Sequence, residues 1–404
     1  MYFNGIHTIM GKSRMQDMKK LFLASLLMLC AAVFADDLKT PEPRKETLKR
    51  KDKETEVLFY SAFSPPFEIT GFPSRKPGSS YLYRLPEWMD FTKMKRRGIK
   101  RAAARSTGGT VRFATDSPVV VARSMIKEGA CSDASHRPRI ANAGFDLYVD
   151  CGTPNERAFR PSPHPTAEGA QGKEPILLIA DEIAKDGQMR EYTVFLPLFS
   201  ELSELEIGVA PGSRIAAPRP QKIKDPICFY GSSITQGGCA SRPANTYCAL
   251  LCRAVDAPQI NLGFAGNAKG EPAIAEAISK LKMSVFVMDY DFNASPSLLA
   301  ETHEPFFKIV REAQPDLPII IISGPRDRNA RDAVKRRDIV KATYDHAVAA
   351  GDKHVYFVDG LSFFDEIPHK YCTVDGTHPT DLGFHLMYKK VLPVLKKALE
   401  ESKK

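Results

Sequence analysis

Apolar residues change their spacing midway along this chain. From Glu56 to about Gly212 they come in short runs: Val57 to Tyr60, Tyr81 to Leu85, Val111 to Ala114, Val119 to Ala122, Phe145 to Val149, Ile176 to Ala180, Tyr192 to Phe199 and Leu205 to Val209. Gly, Pro, Asp and Ser punctuate these runs, and β-branched and aromatic residues are frequent inside them, which predicts a β-sandwich or jelly roll. The stretch from Pro211 to Pro220 then breaks the pattern as a domain linker would. Beyond it, strand-like runs at Ile227 to Tyr230, Gln259 to Leu262, Val285 to Tyr290, Pro318 to Ser323 and His354 to Val358 alternate with helix-like segments near 244–254, 272–281, 298–313, 330–350 and 380–399. Five strands separated by helices predict an α/β domain, a parallel sheet with helices on both faces. The expected division is a β-sandwich over 56–212 and an α/β domain over 221–404, room enough in 404 residues for two buried cores.

The first 55 residues read differently. Met18-Lys19-Lys20 is a positive start, Leu21 to Leu29 an apolar stretch, and Val33-Phe34-Ala35 a small-residue cleavage pattern before Asp36-Asp37. Residues 1–35 are therefore expected to be a secretory signal with an N-terminal extension, translation starting at Met18 and the product exported to the periplasm or beyond. A lipid anchor on Cys30 fits less well, because Leu29 before it is not small. The apolar stretch is too short for a comfortable membrane span, and no later run is long and apolar enough for one. Residues 36–55 are charged and proline-punctuated, and are expected to form a flexible lead-in.

The formal charge is +9, and removing residues 1–35 lowers it to about +6 by simple counting of side-chain charges. The densest basic run, Lys93 to Arg101, offers an anionic polysaccharide or lipid surface something to meet, but a solvated loop between strands is the favoured reading. Nucleic-acid binding is not expected without aromatic interleaving. Seven of the 8 cysteines follow residue 35. Cys131 and Cys151 are candidates for a disulfide in an oxidising compartment, and Cys248 and Cys252, at i and i+4 on a predicted helix, are expected to pack in the core. No metal-ligand spacing is present, and no metal or cofactor is expected.

The run Tyr230-Gly231-Ser232-Ser233-Ile234-Thr235-Gln236-Gly237 follows a predicted strand, and Asp375-Gly376-Thr377-His378 lies near the C-terminus. Attack on an ester carbonyl needs an exposed hydroxyl, an imidazole to take its proton and a carboxylate to hold the imidazole's tautomer. Either Ser232 or Ser233 supplies the hydroxyl on this reading alone. Asn261 to Asn267, with glycines at 263 and 266, and Val285 to Asn293 follow at the ends of the next two strands. All of these positions fall at the C-terminal edge of the predicted sheet, where open α/β sheets bind ligands. Asp289, Tyr290, Asn267 and Thr246 are further candidates to shape a pocket, and Pro379 is expected at the first position of the last helix. His136 and His164 are read as surface residues and His346 as structural.

These blocks resemble, in order, those of the SGNH (GDSL-type) ester hydrolases over the segment from about Asp225 to Leu399. The resemblance implies a flavodoxin-like SGNH domain and a triad of Ser233, His378 and Asp375. It implies an oxyanion hole from the backbone N–H groups of Ser233 and Gly266 and the Asn293 amide. The acidic residue that usually precedes the nucleophile is Ser232 here. That departure occurs in the subgroup whose hydrolase domain follows a β-rich domain carrying Gly-x-Asp-Leu-Tyr, matched by Gly144-Phe145-Asp146-Leu147-Tyr148. The expectation is an exported two-domain serine esterase acting on an acylated carbohydrate or another small ester. A lipase or thioesterase, or a carbohydrate-binding protein that has lost activity, are the rival readings. The β-rich domain is expected to pack against the catalytic one and help wall its site.

Overall fold

A computed structural model describes residues 42–50, 53–76, 78–89, 97–128, 134–156, 159–161, 165–181 and 186–402. The expected signal segment, Lys93 to Arg96, Cys131 and His164 lie outside the described residues.

The β-rich half is a pair of sheets. One runs Arg44–Arg50, Lys53–Ser61, Leu202–Val209, Val119–Ile126, Ile176–Asp181, every neighbouring pair antiparallel. The other runs Ile215–Ala216, Thr110–Thr115, Arg190–Phe195, Asp146–Val149, Phe159–Pro161, with Glu68–Thr70 also paired to Thr110–Thr115. Val111, Phe113, Leu147, Tyr192 and Val194 of the second sheet face Val120, Ala122, Leu178 and Ile207 of the first across a common core. Ile176–Asp181 alternates buried and half-buried residues, as a strand with one wet face does. Thr110–Thr115 is buried throughout. Its other face is covered too: Thr110, Arg112, Thr193 and Phe195 look across a void of about 30 Å³ at Ala249, Cys252 and Gln259 of the α/β half. The second sheet is therefore sandwiched between its own core and its neighbour.

Two sequence expectations change here. Arg44–Arg50, read as part of a flexible lead-in, is an edge strand on Lys53–Ser61. Its charges pair across the ladder, Lys45 with Glu56 at 2.8 Å and Lys49 with Glu54 at 3.1 Å, a use of charge that suits an edge open to water. Tyr81 to Leu85, read as a strand, is not one. Leu82 stays in the β-rich core, whereas Leu85, with Met89, Ile99 and Ala103, packs into the core on one face of the parallel sheet, so the end of this segment serves the other half of the molecule.

The α/β half has the predicted parallel sheet, in the order Gln259–Gly263, Ile227–Gly231, Val285–Asp289, Ile319–Ile322, Val355–Val358. All of its strands are wholly buried except the edge strand Val355–Val358, whose Phe357 is partly exposed, because helices cover both faces. Ile274, Ile278, Leu299 and Phe306 fill one face, and Leu251, Phe384, Met387 and Leu395 the other. The second of these includes Cys248 and Cys252 as packing residues, as the sequence predicts. Helices start on Thr246, Ser295 and Thr380, each accepting a backbone N–H. The last helix is Asp381–Glu401, so Pro379 precedes its cap instead of opening it, and instead pairs with Thr373 to pin the turn that holds His378. No helix among the described residues is long and apolar enough to cross a membrane.

Candidate active site

The two neighbouring serines have different surroundings. Ser232, 1% exposed, caps the short helix Ser233–Gln236 by accepting the N–H of Ile234 at 3.1 Å. Its hydroxyl is committed to the backbone. Ser233, one residue on, sits in the first turn with its Oγ 2.8 Å from Nε2 of His378. Gly231 before them must be glycine: a Cβ there would lie 1.9 Å from the Thr235 hydroxyl and 2.2 Å from the carbonyl of Asp289. Gly237 ends the helix at φ +99°, a left-handed turn that favours glycine.

His378 is held from its other side. Its Nδ1 lies 2.8 Å from Oδ2 of Asp375, while Oδ1 of the same carboxylate accepts the N–H groups of His378 at 2.8 Å and Thr377 at 3.0 Å. Partial burial works to raise the pKa of Asp375, but the bonds from the His378 backbone and ring outweigh it and hold the carboxyl at about 2. An ionised Asp375 orients the ring so that Nε2 faces the serine. Three residues of spacing suffice because Gly376, at φ +79°, turns the chain back on itself.

Ser233, Gly266, Asn293 and His378 line one cavity of about 460 Å³. Gly266 adopts φ +72°, and a Cβ on it would meet nothing within 4 Å. The nearby Gly263 has its N–H bound to the Asn261 side chain at 2.9 Å, so it is not the spare donor. Among the described residues, no internal partner takes the N–H of Ser233 or of Gly266. Oδ1 of Asn293 is likewise buried without a partner. Asn267 lines the cavity as well, but Asp289, Tyr290 and Thr246 are buried behind it. Asp289 accepts the hydroxyls of Tyr247 at 2.8 Å and Thr235 at 2.9 Å, and burial raises its carboxyl to about 7.

The β-rich half reaches this site in ways that sequence reasoning missed. His136 is exposed, as expected, yet its ring lies 5.3 Å from that of His378. The described end of the basic run is no solvated loop: it forms the helix Arg97–Ala103, whose Gly98, Arg101 and Ala102 line the cavity, with Ile99 buried beneath. Arg84 is wholly buried and donates to the carbonyls of Ala102, Arg105, Asn261 and Gly263 at 2.6 to 3.0 Å. It thereby ties the β-rich half to the strand that leads into Gly266. Gln236, three residues past Ser233, donates to Thr107 and Leu198 and accepts the N–H of Ala265 at 3.0 Å. Asp146 of the Gly-x-Asp-Leu-Tyr motif accepts the N–H of Ala244 at 2.8 Å, and Tyr148 takes a bond from Arg242 at 2.8 Å. The expected packing of the two halves is thus observed.

His136, Cys239 and His378 bring three ligand atoms within 4.8 Å of one another, the one such group among the described residues that could hold an ion. The Cys239 thiol is held protonated by burial and by the Asp375 charge, its pKa raised to about 12. His378 is already engaged with Ser233 and Asp375. The donor set fits a serine relay better than a metal centre.

A parallel sheet with Ser233, His378 and Asp375 in one hydrogen-bonded row at its C-terminal edge is an arrangement that α/β ester hydrolases share. Residues 224–396 match the GDSL-like lipase/acylhydrolase family, and residues 57–215 match the domain described as the N-terminus of SGNH-hydrolase-type esterases. The α/β half is thus matched to the SGNH (GDSL-type) esterases, and the β-rich half to the GxDLY domain found at the N-terminus of such esterases. A GDSL-like lipase candidate from Bacteroides ovatus is 28% identical, covers 85% of this chain and 98% of its own, and superposes with a TM-score of 0.72. A salicylyl-acyltransferase from a tetracycline biosynthetic pathway is 18% identical over 84% of this chain and 96% of its own, with a TM-score of 0.67. A family two carbohydrate esterase from Cellvibrio japonicus is 11% identical over 85% and 98%, at 0.55. The last two share the fold. A comparison with curated proteins found no match.

Proposed function

We propose that this esterase is exported and removes acetyl or other short acyl groups from carbohydrate, with Ser233 as nucleophile. The observation that carries the reading is the row from Ser233 Oγ through His378 to Asp375, opening onto a cavity that Gly266 and Asn293 share. His378 Nε2 takes the serine proton as Oγ attacks the ester carbonyl, and Asp375 stabilises the resulting imidazolium. The negative oxygen of the tetrahedral intermediate is held by the N–H groups of Ser233 and Gly266 and by the Asn293 amide. His378 returns the proton to the leaving alcohol, and water repeats the sequence on the acyl-enzyme.

The carbohydrate reading draws support from the fold shared with a carbohydrate esterase, and export from the pattern over residues 18–35. A panel of acetylated sugars and p-nitrophenyl esters of rising chain length, run with wild type and Ser233→Ala, tests the proposal. Preference for acetyl sugars that vanishes in the alanine variant supports it. Preference for long acyl chains points to a lipase instead. A serine that a fluorophosphonate fails to label points to an inactive binding protein.

A further inference from the structure

We propose that His136, Cys239 and His378 form an inhibitory site for a soft divalent cation, zinc above all, which switches the enzyme off by taking the lone pair that His378 offers to Ser233. The inhibition rests on the esterase reading above; the binding does not. Each of the three residues brings one ligand atom, and all three atoms lie within 4.8 Å of one another. Imidazole and thiolate ligands on zinc stand roughly 3.5 Å apart around a tetrahedron, so the cluster has little further to close. The other buried cysteines, Cys228, Cys248, Cys252 and Cys372, belong to no such group among the described residues.

In the resting molecule the same atoms serve the serine relay. His378 shares its Nε2 with the Ser233 hydroxyl at 2.8 Å, and the Cys239 thiol donates to the carbonyl of His136 at 3.2 Å. Relay and metal site are therefore alternatives, and what a cation displaces is one hydroxyl and one weak thiol bond.

Three features prepare that exchange. Nδ1 of His378 lies 2.8 Å from Asp375, the carboxylate–histidine pairing that fixes the tautomer of metal-bound histidines and leaves Nε2 for the ion. Cys239 sits at φ +77°, a left-handed conformation uncommon for a residue with a side chain, and Gly238 before it lets the segment lie against the ring, since a Cβ there would be 3.1 Å from Cδ2 of His378. His136 is exposed on the cavity wall with its ring 5.3 Å from that of His378, which gives the ion a way in. On binding, the Cys239 proton leaves to water as the sulfur–metal bond forms, because a coordinating thiol is deprotonated. Nε2 gives its electron pair to the metal in place of the Ser233 proton, and water or the Ser233 hydroxyl takes the fourth position. Imidazole and thiolate favour zinc over magnesium and calcium, which prefer oxygen.

The full chain, stripped of metal by a chelator, is titrated with zinc chloride while it hydrolyses p-nitrophenyl acetate, and zinc affinity is measured separately by competition with a chromophoric chelator. Wild type should be inhibited by zinc in the micromolar range and not by magnesium, recover on addition of EDTA, and melt at a higher temperature with zinc than without. Cobalt in place of zinc should give a thiolate-to-metal absorption band. His136→Ala and Cys239→Ser, each referred to its own zinc-free turnover, should weaken zinc binding and inhibition by more than the roughly 10- to 100-fold that loss of an outer-shell partner costs, and Cys239→Ser should lose the cobalt band. His136 is exposed, so its variant decides the matter should Cys239→Ser fail to fold. Zinc inhibition as strong in the variants as in wild type assigns the ion to His378 and Asp375 alone and overturns the site, as does a wild type that binds no zinc. Zinc binding that depends on His136 and Cys239 in a wild type that hydrolyses no ester leaves the site standing and overturns the esterase reading instead, and with it the inhibition.

Discussion

The α/β half carries every group that the proposed chemistry uses, and the β-rich half carries none, yet Arg84 and Asp146 of the β-rich half are as buried as the hydrophobic core. The contrast lies in what each half does with its polar residues. In the α/β half Ser233, Gly266 and Asn293 stand at strand ends with hydrogen-bonding capacity left over. In the β-rich half polar groups spend theirs on the neighbour's backbone: Arg84 on Asn261 and Gly263, Asp146 on Ala244. A reactive site needs loops at fixed distances, and loops that hold unpaired donors are poor at fixing themselves. The second half supplies the fixing.

The sharpest way to break this contrast is at the serine pair. Ser233→Ala is expected to lower kcat by about 10⁴- to 10⁶-fold with the fold intact, measured on p-nitrophenyl acetate. A large loss in Ser232→Ala with none in Ser233→Ala would exchange their roles. Next comes Asn293→Ala, which should lower kcat by about 10²- to 10³-fold with little change in KM if its amide serves the developing oxyanion as proposed. A change confined to KM would reassign it to ordinary binding.

The supporting half is tested by Arg84→Met. It removes the donor from four carbonyls at once; that of Ala102 keeps the N–H of Arg105, and with each acceptor left unpaired costing about 1–3 kcal/mol, a stability loss of at least about 3 kcal/mol is expected in urea titration. If Arg84 positions the Gly266 loop, kcat also falls while KM holds. An unchanged kcat would leave Arg84 a stabiliser only.

Asp289 sharpens the comparison from beneath the Ser233 turn. Burial lifts its carboxyl to about 7 in the folded chain, against about 4 for an unfolded aspartate. The folded state therefore binds more protons between those values, and stability falls as pH rises through that window, by no more than about 1.4 kcal/mol per pH unit from this group. Asp289→Asn should flatten the slope in melts recorded from pH 4 to 7, roughly the window set by those two values. An unaltered slope would mean that its hydrogen bonds from Tyr247 and Thr235 keep the charge settled. The smallest effect is reserved for Ser232→Ala, about 1 kcal/mol of stability for a lost helix cap, with turnover nearly intact.

Much of the α/β half was legible in the chain itself. Runs such as Val285 to Tyr290 and Pro318 to Ser323 are short, apolar and rich in β-branched residues, and they alternate with helical periodicity, so neighbours in sequence dictate the elements. The order Ser233, Gly266, Asn293, His378 could be read because each follows a strand end or a turn. What the chain did not disclose depends on partners distant in sequence. Arg44–Arg50 looks too charged to be ordered until Lys53–Ser61 offers it opposite charges across a ladder. Tyr81 to Leu85 has strand-like residues but no strand to pair with, and Arg97–Ala103 reads as a basic surface until the parallel sheet's core takes Ile99. Sequence alone determined the strands of the α/β half, their order along the chain and the residues with reactive chemistry, since these follow from local pattern. Only the tertiary structure decided which serine faces His378 and which N–H groups stay unpaired, because each is a matter of how hydrogen bonds close between segments up to about 180 residues apart.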